Sequence, residues 1–166
     1  MNNVMLDLET MGNSTNAAII AIGAVRFSNG EITDEFYTVV DLASSISAGL
    51  EMDPSTVLWW MKQSDEARAQ FERKGASLTE ALEEFSNWIG EDAKVWGNGA
   101  SFDNAILSNA YRKSDIEQPW KFWNDRCYRT VKNLFPKKKL ERAGVHHNAV
   151  DDAKSQANHL MQMLTL

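Results

Sequence analysis

Cysteine is nearly absent from the chain: Cys127 stands alone in 166 residues. One thiol excludes an internal disulfide and fits a reducing compartment. No apolar run approaches the 18 or so residues of a membrane helix, and no basic-then-apolar leader opens the chain. Low-complexity tracts, internal repeats and linker-like stretches are missing too. These absences predict one soluble, cytoplasmic domain over residues 1–166 with no membrane partner, long enough to bury a sizeable core.

Positive charge is also scarce overall. The net charge of −6 argues at first against a nucleic-acid partner. The distribution says otherwise. Between Lys121 and Arg142 lie eight Lys or Arg and two acids, a local balance of +6 that leaves −12 for the rest. Bound divalent cations would offset the acidic part, so local charge is the better guide here.

What is present begins with an apolar strand, residues 4–10, carrying Asp7 and Glu9. Residues i and i+2 of a strand share a face. The two carboxylates therefore project side by side, while Leu6 and Leu8 point the other way. Carboxylates held that close repel, and a divalent cation with hard oxygen ligands relieves the repulsion. A solvated edge strand is the plain alternative.

Residues 18–27 read as a buried strand, Ser28-Asn29-Gly30 as a hairpin turn, and residues 31–40 as a half-exposed strand. Residues 41–75 carry a helix opened by Asp53-Pro54 and a shorter one opened at Ser64-Asp65-Glu66. Ser77 and Glu80 form a capping box ahead of an amphipathic helix. A short strand over residues 94–97 leads to a helix over 102–113 that Ser101 can cap. A strand near 122–126, a helix near 130–135 and a final helix over 148–164 complete the chain. The order predicts an α/β fold: three antiparallel strands, then two parallel ones, in a five-stranded mixed sheet with helices on both faces.

Two further acidic features stand where such a sheet places its sites. Asp103 follows Trp96-Gly97-Asn98-Gly99-Ala100-Ser101-Phe102 at the carboxyl end of a strand. There it also suits the first turn of a helix. His147 precedes the last helix, and Asp152 falls in that helix's first turns. Asp151 lies about 100° round the helix from Asp152, so both cannot enter one site.

The ordered set Asp7-x-Glu9, Asp103 and His147-x-Ala149-x-x-Asp152 resembles the DEDDh motifs of the proofreading-type 3′–5′ exonuclease superfamily, with its ribonuclease-H-like fold. Residues 53–68, containing Trp59-Trp60, resemble a segment of a small bacterial and phage subfamily that includes the mycobacterial exoribonuclease AS. The resemblance implies hydrolysis of single-stranded DNA or RNA from a free 3′ end to nucleoside 5′-monophosphates. It implies two Mg²⁺ ions, replaceable by Mn²⁺, with Asp7, Glu9 and Asp152 holding one. Asp7 would bridge to the second, with Asp103 assisting, and His147 would be the general base. Thr10, Met11, Asn98 and Ser101 become candidate substrate contacts. Trp59 and Trp60 become candidate stacking platforms; adjacent helical residues diverge, so one Trp is expected in the core and the other near the site. Lys137-Lys138-Lys139 could track phosphates or form a solvated charge run. Some relatives dimerise, and residues 41–75, extra to the minimal fold, are the expected homodimer interface.

Three competing readings stay open. A ribonuclease-H-like endonuclease lacks the His–Asp pairing. A catalytically inactive nucleic-acid-binding module would have lost one of the five positions. An oxygenase built on two His and one carboxylate fits four acids badly.

Overall fold

In the computed structural model, which describes residues 2–164, β1 (Asn3–Thr10) is the middle strand of a five-stranded sheet of order β3-β2-β1-β4-β5. β2 (Ile19–Ser28) and β3 (Glu31–Val39) run antiparallel in sequence. Asn29 and Gly30 join them with φ of 52° and 82°, the left-handed pair that a two-residue hairpin needs. On the other side β4 (Lys94–Gly97) pairs parallel with β1, and β5 (Asp125–Cys127) pairs parallel with β4. This is the mixed sheet the element order predicts, and it agrees with the ribonuclease-H-like fold that the resemblance implies.

Alternation along β1 splits the core into two layers. Val4, Leu6 and Leu8 pack in one cluster with Leu78, Leu82 and Phe85 of α4 (Leu78–Ile89) and with Ile106, Leu107 and Tyr111 of α5 (Asp103–Lys113). Met5 packs on the opposite face with Val25, Phe27 and Ala153, Ala157 and Leu160 of α7 (Ala149–Leu164). Helix α4 starts as expected, with both halves of the Ser77–Glu80 capping box in place.

Between β3 and α4 run three short helices: α1 (Leu42–Ser47), α2 (Pro54–Trp60) and α3 (Asp65–Ala69), the last continued by a 3₁₀ turn at Gln70–Glu72. α1 is not among the expected elements. Its six residues are too few for a periodic signal, although Asp41 accepts a hydrogen bond from Ser44 N as its cap.

Two local expectations need correction. Ser101 does not cap α5. The cap is Phe102, with no side-chain cap bond, because Phe102 N and Asp103 N both donate to Gly99 O at 2.8 and 3.2 Å. The strand expected near 122–126 is a 3₁₀ turn at Phe122–Asn124 followed by β5. β4 offers only Val95, Trp96 and Gly97 as partners, so the edge strand is three residues long. α6 (Tyr128–Leu134) then starts two residues earlier than expected, with Tyr128 fully buried. Among the described residues no helix is long and apolar enough to cross a membrane.

Candidate active site

The site's floor is β1. Asp7 and Glu9 stand on the face covered by α7, and the first turn of α7 comes down directly onto β2. Gly23, which pairs with Asp7 in the β1–β2 register, makes that approach possible. A Cβ there would lie 2.2 Å from Ala149 C and 2.3 Å from Val150 N. Asp152 and Gln156, one turn apart on α7, consequently face Asp7. Gln156 Nε2 donates to Asp7 Oδ1 at 2.7 Å. Carboxylate oxygens of Asp7, Glu9 and Asp152 all lie within 4.8 Å of one another. Asp151 turns away, accepting from Val145 N at 2.9 Å.

Asp103 reaches the site from the other side of β1. Gly97 pairs with Leu6, and a Cβ on it would sit 2.2 Å from Asn104 Oδ1 and 3.1 Å from Asp103 Cβ. With that space open, Asp103 is clamped by two backbone amides, from Leu8 N at 3.1 Å and Asn98 N at 2.9 Å. It is outside the three-carboxylate cluster but beside it, since its charge acts on both Asp7 and Glu9.

Glu9, Asp103 and Asp152 are buried, and Asp7 is half-buried among them. Burial, then the charges of Asp103 and Asp152, hold Asp7 well above the ordinary carboxylate range. Burial and Asp7 push Glu9 up to about 10. Burial raises Asp103 to about 7 against the pull of its backbone donors. Arg142 Nη1 lies 2.8 Å from Asp152 Oδ1, the one ion pair among the described residues that reaches these four acids. Hard oxygen donors, mutually repelling and short of cationic partners, fit a divalent ion with oxygen coordination.

His147 sits at the mouth in a left-handed conformation, φ 65°. Its backbone is tied on both sides. His147 N donates to Asp152 Oδ2 at 3.0 Å, and its carbonyl accepts from Gln70 Nε2 at 2.6 Å. The ring meets Trp59 edge-on, centroids 4.8 Å apart, and His146 in a stack at 3.7 Å. Burial and the neighbouring His146 lower its pKa below the usual value, against Asp152.

A cleft of about 350 Å³ gathers these groups with Thr10, Trp59, Trp60, Asn98, Arg129, Lys132, Arg142 and Gln156. The two Trp diverge as expected. Trp60 is buried, its Nε1 donating to Thr10 O at 2.9 Å, while Trp59 is 41% exposed. Met11 and Ser101 do not line the cleft. Met11 N is already committed to Ala18 O at 2.8 Å. The cleft's cations are Arg129, Lys132 and Arg142. The Lys137–Lys139 run lies outside it, with Lys137 and Lys138 on a separate hollow beside Leu134 and Phe135. Sequence reasoning singles out none of Gln70, Arg129, Lys132, Arg142 or Gln156 individually. The local +6 balance points to the three cations as a group, whereas nothing in the sequence marks the two glutamines.

Four acids and a histidine gathered on a mixed sheet are the arrangement that the DEDDh resemblance implies. The family described as the 3′-5′ exoribonuclease Rv2179c-like domain matches residues 2–164, and the chain belongs to it. An exodeoxyribonuclease of Enterobacteria phage T4 is 28% identical over 159 residues, covering 78% of this chain and 70% of the phage protein. The PolC-type DNA polymerase III of Listeria innocua is 28% identical over 165 residues, covering 92% of this chain but 10% of that polymerase. Escherichia coli exonuclease I in complex with a dA16 oligonucleotide superimposes with a TM-score of 0.69 at 13% identity, over 99% of this chain and 41% of that one. The nuclease domain of 3′hExo, a DEDDh family member bound to rAMP, gives 0.64 at 17% identity, over 98% and 91%. At such identities these structures speak for the fold alone.

Proposed function

We propose that this exonuclease hydrolyses single-stranded nucleic acid from a free 3′ end and releases nucleoside 5′-monophosphates. The observation that carries this reading is the convergence of Asp7, Glu9 and Asp152 within 4.8 Å, with His147 tied to Asp152 at the cleft mouth. Asp7, Glu9 and Asp152 would hold one Mg²⁺. Asp7 and Asp103 would serve the second, with Mn²⁺ able to substitute. When bound, such ions supply charge stabilisation and a more acidic water for an in-line displacement.

The chain's own residues do the rest. His147, kept neutral at pH 7 by its lowered pKa, accepts the proton of the attacking water. Gln70 holds the His147 carbonyl and so fixes the ring's approach. Trp59 offers a half-exposed ring beside His147 for the terminal base. Arg129 and Lys132, on α6, face the same cleft and suit the phosphates upstream.

The sugar is open between ribose and deoxyribose. The T4 relative is named for DNA, whereas the family description names RNA. Chromatography of the products from matched RNA and DNA oligonucleotides tests the proposal. Nucleoside 5′-monophosphates support it, and the faster substrate names the sugar. Products ending in 3′-phosphate, or internal fragments, would contradict it.

A further inference from the structure

Two imidazoles and a carboxylate meet at the cleft mouth. Ring nitrogens of His146 and His147 and an oxygen of Asp152 all lie within 4.8 Å of one another. Consecutive residues of an extended chain send their side chains to opposite sides. Here the left-handed φ of His147 turns both rings to one side, stacked 3.7 Å apart at 25°. The exonuclease reading takes only His147 of this pair as the base and gives His146 no contact with substrate or metal.

The donor chemistry differs from that of the acidic floor. Asp7, Glu9 and Asp152 offer oxygen alone, which suits Mg²⁺. Two nitrogens and one oxygen suit a borderline-soft ion, and three protein ligands leave the open fourth position of many Zn²⁺ sites. Zn²⁺ ligands lie about 2.0–2.2 Å from the ion, so closing the set requires a shift of an ångström or so. The exposed His146 ring is free to make it by rotating out of the stack.

We propose that His146, His147 and Asp152 form a Zn²⁺ site distinct from the hydrolytic one and incompatible with it. Asp152 belongs to both ligand sets. A His147 nitrogen whose lone pair holds Zn²⁺ cannot take a proton. Zn²⁺ here therefore inhibits, a consequence that rests on the proposed role of His147, whereas the binding itself does not.

The test measures Zn²⁺ affinity directly, by competition with a chromophoric chelator, for the full chain and for His146→Ala. His146 is exposed, and thermal melts of both proteins confirm an unchanged fold. Loss of an outer-shell partner alone weakens metal binding roughly 10–100-fold, so loss of a ligand is expected to weaken Zn²⁺ binding at least that much. In Mg²⁺ the variant's acid limb should move up, because His146 lowers the His147 pKa, and at pH 8, above that limb, the Zn²⁺ concentration that halves the rate should rise by the same factor. Equal Zn²⁺ affinity in the two proteins would overturn the proposal. If neither protein degrades oligonucleotides, the exonuclease mechanism falls, and the chelator competition still decides this site.

Discussion

Gly23 pairs with Asp7 across the β1–β2 ladder, and a methyl group at Gly23 would fall 2.2 Å from the Ala149 carbonyl carbon. Strand β1, through its partner β2, and helix α7 thus meet over a position with no side chain. Asp152 reaches Asp7 because of that contact, and α7 supplies both the acid and the Gln156 donor.

Gly23→Ala should therefore damage stability and site together. Overpacking of this kind costs about 1–3 kcal/mol, and each kcal/mol lowers Tm by about 2–4 °C in a chain of this size. Calorimetric titration with Mn²⁺ should show weaker binding than in the wild type. A variant with normal Tm and normal Mn²⁺ affinity would show that α7 is not seated as described.

Asp7→Asn should separate stability from activity. Without metal, the raised pKa values mean that the folded protein binds more protons at these carboxylates than the unfolded chain does. Their contribution to stability is present below the ordinary carboxylate pKa and is lost as pH rises through the folded-state values, about 7 for Asp103 and about 10 for Glu9. The metal-free Tm is expected to fall between about pH 5 and pH 8, and Mg²⁺ should restore it. Asn keeps an acceptor for Gln156 but carries no charge, so it should flatten the pH dependence and raise the metal-free Tm at pH 8. Its activity should fall by at least about 10²-fold, since losing even an outer-shell partner of a metal can cost that much. A pH-independent Tm in the wild type, with or without Mg²⁺, would count against the electrostatic account.

For His147 the expected pH profile has its acid limb below the ordinary histidine value of about 6.5, because burial and His146 lower its pKa. His147→Ala should cut the rate by roughly 10²–10⁴ and remove that limb while leaving Mn²⁺ binding nearly unchanged. An unchanged rate would move the base elsewhere.

The two tryptophans should respond in opposite ways. Trp59→Ala should weaken single-strand binding by about 1–3 kcal/mol with little change in Tm, because the ring is 41% exposed. Trp60→Ala should destabilise the fold by about 3–5 kcal/mol, because its ring is buried and its indole N–H holds the Thr10 carbonyl. Fluorescence anisotropy and thermal melts measure the two effects. A Trp59→Ala protein that binds normally would remove the stacking role.

Much of this was legible in the sequence because it follows from short-range geometry. The i, i+2 spacing places Asp7 and Glu9 on one face, and the helical twist separates Trp59 from Trp60 and Asp151 from Asp152. Positions that act through an absent side chain were not legible. Gly23 and Gly97 matter because of atoms on a helix over 100 residues away in the first case and on the first turn of the following helix in the second. Gln70 and Arg142 lie in segments with no periodic pattern, and their partners are fixed only by tertiary packing. The first turn of α5 is closed by the Gly99 carbonyl, which accepts from Phe102 N and Asp103 N, while the Asp103 carboxylate is held by Leu8 and Asn98; none of these backbone partners is marked in the sequence.

The most direct measurement follows a 5′-labelled single-stranded oligonucleotide on a sequencing gel, with Mg²⁺ and with EDTA, for the wild type and His147→Ala. A ladder that shortens one nucleotide at a time from the 3′ end, absent in EDTA and slowed in the variant, is the predicted result. Intact oligonucleotide in every lane, with a shift on a native gel, would contradict the account and make this chain a binding module on the same fold.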